Sequence, residues 1–466
     1  MKPLFTIIAS ILFSMLFYGK HIGLNLSIFS VLAILFLGLY QPKKIKDKRI
    51  VLHALAYLLT AVVVFIQHSS LAIIANCVAF FTLVGAISNS NTSIYVHWLN
   101  GLYTSIAGFF YRTFEVDSEA EKVNWKKDID VVHWIKLIAI PLVFIIIFIL
   151  LYKNGNPMFS DLVNMINFDF INFQWVLFTV LGYFLFSNIS KPLTVEPATS
   201  TDLKINNDLS KSDSFSEDTL KKEKQLGTVL LGLLNLLILF YIITDITYLV
   251  TTETSSASAL SNQVHSGINT LIASILIAIV IILYFFRGDL NFYSDNKTLK
   301  NLTFLWIGLN VLLIILIAIK NQTYITSFGL TYKRIGVHVY IFLTLVGLVT
   351  TFLKVMNIKN MVFLFRRNTQ IAFIVLLLCS TINWDRIITK YNLNHAAAFD
   401  MDYLIKLSDR NAILLYQKKD DIAISDENKN RIDTKYRAYI NKLNIRAWQE
   451  YSYENFNVEL DPKTSD

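Results

Sequence analysis

Between Leu4 and Ile382 the chain carries eleven apolar stretches, most of them long enough to cross a bilayer, and a polar tail of 84 residues follows. A hydrocarbon core about 30 Å thick takes about 20 apolar residues at 1.5 Å rise each. Inside it only helices or closed barrels satisfy every backbone N–H and C=O. The stretches are continuously apolar rather than alternating, which selects helices. The expected fold class is therefore all-α: a polytopic transmembrane helix bundle of about eleven spans with a small helical extramembrane C-terminal tail. Composition agrees, since 16% of residues are charged against about 25% in a soluble domain.

The spans are drawn near Leu4–Tyr18, Ile22–Tyr40, Ile50–Ile66, Ser69–Ser88, Val132–Tyr152, Phe170–Ser187, Leu226–Ile246, Gly267–Phe286, Asn301–Ile319, Ile335–Leu353 and Thr369–Ile382. The first is read as a retained span rather than a signal peptide, because no small-residue cleavage site follows it. Lysine and arginine set the orientation, as cytoplasmic loops carry the excess. With the N-terminus cytoplasmic, the inner loops hold 22 basic residues and the outer loops before the tail hold five: Lys20, Lys153, Lys320, Lys333 and Arg334. The net charge of +8 is thus mainly a topology signal, and nucleic acid is not expected as a partner. Ser93–Arg112 is moderately apolar. Its polar stripe of Ser93, His97, Asn100, Thr104, Gly108 and Arg112 suggests a helix lying in the membrane interface. Eleven spans then put the tail outside the cytoplasm.

Four regions follow from these patterns: a first membrane half at 1–190, a linker at 191–225, a second membrane half at 226–382, and the tail at 383–466. The linker has one aromatic residue and almost no apolar periodicity, so it is expected to be a disordered cytoplasmic loop. The tail carries 13 basic and 14 acidic residues. Asp400 and Ser408 stand where helix N-caps would go, and Arg431–Gln449 has apolar residues at helical spacing.

Chemistry is sparse. Phosphate-binding glycine loops, H-E-x-x-H and G-x-S-x-G do not occur, the eight histidines never approach within fifteen positions, and Cys77 and Cys379 lie in apolar runs as small hydrophobes. Neither a cofactor nor a resident metal is expected. Asp128–Asp130 and Asp400–Asp402 form Asp-x-Asp pairs of the kind that hold a divalent ion on a nucleotide sugar, although helix capping already accounts for Asp400. No acidic or basic residue falls near the centre of a span. The central polar residues Asn76, Asn235 and Asn310 are read as interhelical hydrogen-bonding groups.

Two stretches rise above this background. Tyr324–Arg334 leads into the tenth span, with Gly329 free to take a positive φ, Thr331 placed to cap the next helix and Arg334 at headgroup level. Asn383–Leu393 and Phe399–Asp409 form the second, with Trp384 and Tyr391 as interfacial anchors. Phe328–Arg334, Asn383–Asn392 and Phe399–Ser408 resemble the Y-G-L-T-x-x-R, N-P-D-x-x-I-A-x-x-N and L-D-x-x-Y-L-x-x-L-S elements of the bacterial membrane family known as domain of unknown function 4173. Phe328, Trp384 and Thr389 depart from that pattern. The resemblance covers roughly Asn301–Tyr416 and implies a bacterial cytoplasmic membrane protein without a known activity.

The expected functional face is Tyr324, Gly329, Thr331, Arg334, Asp385, Tyr391, Asn392, Asp402 and Tyr403, all on one side of the membrane. The leading expectation is a non-enzymatic sensor or scaffold of the bacterial envelope, with the bilayer around it and a protein partner at the tail. A transporter or channel for a small neutral solute is the alternative. The third reading is an enzyme of lipid-linked sugars with Asp400 and Asp402 as metal ligands.

Overall fold

In the computed structural model, residues 2–118, 173–212, 216–251 and 268–457 are described, together with scattered positions between 141 and 159. Among these residues the structure is predominantly helical and has no strand, only an isolated bridge between Asp208 and Lys359. Seven helices are long and apolar enough to cross a membrane, and three further apolar helices are shorter. The expected span at Val132–Tyr152 lies largely outside the described residues. The chain divides into two compact units.

The first unit comprises Met1–Asn91, Val96–Glu196 and Arg446–Tyr453. Its helices are α1 (Lys2–Phe17), α2 (Leu24–Tyr40), α3 (Lys48–Gln67), α4 (Ser70–Ser88), most of α5 (Ile94–Ser118) and α6 (Phe173–Ser190). Asp47 caps α3 and Ser69 caps α4, each accepting a backbone N–H from the first turn. Glycine sets the tightest crossing. A Cβ on Gly85 of α4 would lie 1.9 Å from the carbonyl oxygen of His97, and one on Gly101 of α5 would lie 1.9 Å from that of Phe81. The two backbones therefore touch, which only glycine allows.

That crossing corrects the reading of Ser93–Arg112. An interfacial helix turns its polar stripe to water, but here His97, Asn100 and Thr104 are buried while Leu99, Leu102 and Ile106 are exposed. Asn100 donates to the Ser88 hydroxyl and accepts from the Val195 N–H, and the Thr104 hydroxyl accepts from the Leu193 N–H. The polar stripe is an internal seam. Backbone groups of an irregular segment need partners once they are covered, and this stripe supplies them.

The tail does not form one region either, because Arg446–Tyr453 belongs to the first unit. The Leu24 N–H donates to the Tyr451 carbonyl, the His21 N–H to the Glu450 carboxylate and the Tyr453 N–H to the Phe65 carbonyl.

The second unit comprises Thr92–Tyr95, Pro197–Ile445 and Glu454–Asp466. It holds α7 (Ala198–Lys204), α8 (Glu217–Thr251), α9 (Ile268–Phe285), α10 (Lys297–Phe328), α11 (Tyr332–Met356) and α12 (Met361–Ser380). The tail helices α13 (Trp384–His395), α14 (Met401–Lys406), α15 (Ala412–Lys418), α16 (Asp426–Asn444) and α17 (Glu454–Asn457) follow. Its core is aliphatic and aromatic, with Ile275, Ile282, Phe286, Ile317 and Leu348 fully buried. On α8 the outward side chains Leu236 and Phe240 are 66% and 68% exposed. Apolar groups on the outside as well as the inside suit a hydrocarbon surround.

The stretch expected to be disordered, 191–225, is ordered over its described residues. Arg366 of α12 is the reason. Its guanidinium donates to the Asp202 carboxylate at 3.1–3.2 Å, to the Asn207 amide oxygen at 2.7 Å and to the Ile205 carbonyl at 3.0 Å. Asp202 also accepts from the Ser93 N–H and hydroxyl and from the Tyr95 hydroxyl. Burial pushes the Asp202 carboxyl up, but those hydrogen bonds and the Arg366 charge outweigh it and hold the pKa below the usual carboxylate value. Further along, the Leu209 N–H donates to the Ile358 carbonyl and the Asn360 N–H to the Asn207 carbonyl. Ile358 sits at φ +50, a strained conformation for a β-branched residue. Low apolar content predicts disorder only where no polar partner is waiting for the strand of chain.

Candidate functional site: the joint between the tenth span and the tail

The end of α10, the turn 329–331 and the tail helices build one polar joint around two buried side chains, Asp385 and Asn392. Gly329 ends α10 at φ +80 and ψ 173, a region essentially confined to glycine. A Cβ there would sit 2.6 Å from the Asn392 amide oxygen. That oxygen accepts from the Leu330 N–H at 2.5 Å, and the Asn392 amide donates back to the Leu330 carbonyl at 3.0 Å. One side-chain amide thus pairs both backbone groups of the turn, as a neighbouring strand would. Thr331 caps α11 by accepting the Arg334 N–H.

Asp385, at 0% exposure, gathers three donors. The Tyr332 hydroxyl lies at 2.6 Å, the Arg410 guanidinium at 2.6 Å, and the Ser408 hydroxyl also donates. A buried carboxylate costs several kcal/mol unless it is paired and hydrogen-bonded, and this one is both. Ser408, expected as a helix cap, spends its hydroxyl on Asp385 instead. The Tyr332 N–H donates to the Tyr403 hydroxyl at 2.9 Å. Burial pushes the Tyr403 phenol up, and the Asp385 charge adds to that. Arg334 stacks on the Tyr324 ring, 3.9 Å from its centroid, and donates to the Phe328 carbonyl at 2.7 Å. That cation–π contact shields the charge.

Behind this layer, buried Asn411 donates to Thr389 and to the Leu404 carbonyl. Lys435 reaches in from α16 to the Ile405 and Leu407 carbonyls and the Asn411 oxygen at 2.7–2.8 Å. Burial lowers the Lys435 pKa to about 8. Ile388, Met401, Leu404, Leu415 and Ile432 form the apolar floor, with Leu330 and Ile335 packed against it. The tail borrows part of its core from the turn it grips.

Of the nine residues expected to share a face, Tyr324, Gly329, Thr331, Arg334, Asp385, Asn392 and Tyr403 converge. Tyr391 stands apart, its ring stacked on His395. Asp402 is also outside, paired with Arg431, which holds its carboxyl below the usual range. Asp400 caps α14 by accepting the Tyr403 N–H at 3.1 Å. The pair expected as metal ligands is thereby divided between a cap and an ion pair; Asp128–Asp130 lies outside the described residues. Sequence reasoning missed Tyr332, Arg410, Asn411 and Lys435, most of whose partners are 22 to 78 positions away. Only the repeated polar residues on short amphipathic helices hinted at them.

Charges also occur inside the long helices. Lys320 of α10 pairs with Asp245 of α8 at 2.5 Å, and the second Asp245 oxygen is buried without a hydrogen-bond partner. Lys354 of α11 is fully buried and donates to the Phe286 carbonyl at 2.6 Å. Both lysines were assigned to loops from the sequence. The helices run further than the apolar stretches, so these residues are carried inside.

Comparison with known proteins returns one family model, described as a domain of unknown function (DUF4153), over residues 54–417. It carries a different number from the family that the three motif elements resemble, while both are domains of unknown function. The match also takes in most of the first membrane half, where the motifs are silent. No curated protein matches the chain. No solved structure matches it either.

Proposed function

Since the chain belongs to the family described as domain of unknown function DUF4153, which brings no activity with it, we propose a role from the joint itself. The protein is a non-enzymatic multi-pass protein of the bacterial cytoplasmic membrane that holds its tail as a fixed platform for an envelope partner. The observation that carries this reading is Asp385: a buried carboxylate with three donors ties α13 to α11 and to the turn 408–410 that precedes α15. The Asp385 carboxylate and the Asn392 amide are both engaged in holding the joint together.

The tail is assigned to the extracytoplasmic side. Taken unit by unit, its pieces bond to turns on the lysine-poor side: residues 21–24 and Phe65 in the first unit, residues 326–334 in the second. Reporter fusions after residue 330 and in the tail should report the same, non-cytoplasmic side. Opposite sides would end the proposal. A photo-crosslinker at exposed Ile387 or Tyr416 should then trap one envelope protein, and Asp385→Ala should scatter that product.

A second reading rests on a separate observation. Tyr241 reaches towards Asp245 and lines a cavity of about 390 Å³ between α8, α9 and α10, with Ser274 and Asn310. Intramembrane ionisable residues mark solute pathways often enough to test. Solute flux into proteoliposomes that Asp245→Asn abolishes would favour a transporter. Equal leakage from empty and loaded vesicles would remove it.

A further inference from the structure

The groove between α9 and α11 combines a polar mouth with an apolar floor, and its dimensions are those of a single leaflet. A cavity of about 670 Å³ is lined by Lys333 and Asn269 at one end and by Ile272, Leu276 and Val337 further in. That volume lies in the range of about 300–1,000 Å³ typical of small-molecule sites. The floor is open because it lacks side chains: a Cβ on Gly336 would meet nothing within 4 Å. Lys333 to Tyr340 rises about 10 Å along the helix, within the roughly 15 Å from headgroup level to the bilayer midplane. A second cavity of about 410 Å³ continues from the shared residues Leu276 and Tyr340.

The charge at the mouth is available. Arg334, the adjacent cation, is committed to the Tyr324 ring and the Phe328 carbonyl. Among the described residues Lys333 has no ion pair or hydrogen bond. It also stands in the first turn of α11, where the helix dipole favours an anion.

We propose that this groove holds an anionic phospholipid, its phosphate at Lys333 and one acyl chain along Gly336 and Leu276. A basic residue at the end of an interhelical groove is the arrangement that selects anionic headgroups. The neutral alternative, any bilayer lipid filling a gap, would not need Lys333.

Native mass spectrometry of the full chain, released from mixed vesicles of phosphatidylglycerol and phosphatidylcholine with identical chains, tests this. Wild type should retain phosphatidylglycerol about fivefold over phosphatidylcholine, corresponding to ~1 kcal/mol per lysine at a membrane surface. Lys333→Gln, a change at an exposed amine, should remove the preference while the melting temperature holds. Gly336→Phe should displace both lipids by filling the groove, and millimolar inorganic phosphate should displace neither. Equal retention of the two lipids by wild type would overturn the proposal. So would an undiminished preference in Lys333→Gln, displacement by free phosphate, or a second copy of the chain cross-linked across the groove.

Discussion

At the scale of single residues, the joint depends on two positions where substitution has a calculable cost. Gly329 occupies backbone space that other residues reach only at about 1–3 kcal/mol, and its Cβ direction is closed by Asn392. Gly329→Ala should therefore lower the unfolding midpoint of the tail in detergent, and Asn392→Ala in the same chain should relieve only the steric part. Asp385→Ala leaves the nearly buried Arg410 without its counter-charge, a loss of about 3–5 kcal/mol. Asp385→Asn keeps the shape and two of the hydrogen bonds, so its cost should be clearly smaller. If the two variants melt together, the ion pair that both remove, rather than the hydrogen bonds that Asn keeps, is what holds the joint.

At the scale of elements, the last helix makes the tail sensitive to pH. Glu454 opens α17, and burial raises its pKa to about 7, with Arg410 opposing the shift and Asp409 adding to it. A carboxyl whose folded pKa is raised binds its proton more tightly in the folded state. Its contribution to stability is present below about pH 4.5, declines as pH climbs, and is lost above about 7. Protection factors of residues 439–444 and 454–457, corrected for the rise of intrinsic exchange with pH, should accordingly fall between pH 5 and pH 8, and Glu454→Gln should flatten that slope. The linker offers a parallel case. Asp202→Ala strands Arg366 and removes the anchor of Ser93 and Tyr95, so protease cleavage within 198–209 should rise by an order of magnitude or more, consistent with a loss of more than about 1.4 kcal/mol. Unchanged cleavage would mean that the bonds of Asn360 and Ile358 to the linker hold it alone.

At the scale of the whole molecule, the apolar stretches and the basic-residue bias convey that the chain is an all-α protein of membrane-length helices, and roughly where each helix lies. Ten of the eleven expected spans correspond to apolar helices among the described residues, seven of them long enough to cross a membrane. A cysteine-accessibility scan across residues 330, 357 and 425 should label the first and third from one side and the second from the other. Seven of the nine residues named for the expected face meet in the joint, because glycine at a turn, a threonine cap and a polar residue on an apolar helix each have a local physical meaning. Hydrophobic periodicity determines which segments become helices, since burial of backbone polar groups in hydrocarbon admits little else. The tertiary structure alone decided what polar side chains do: that the α5 stripe turns inward, that the linker is held, that Lys354 and Asp245 are buried, and that the tail divides between two units. Each of these rests on a partner tens or hundreds of residues away, and a hydrogen bond or ion pair leaves no period in the sequence by which to find it.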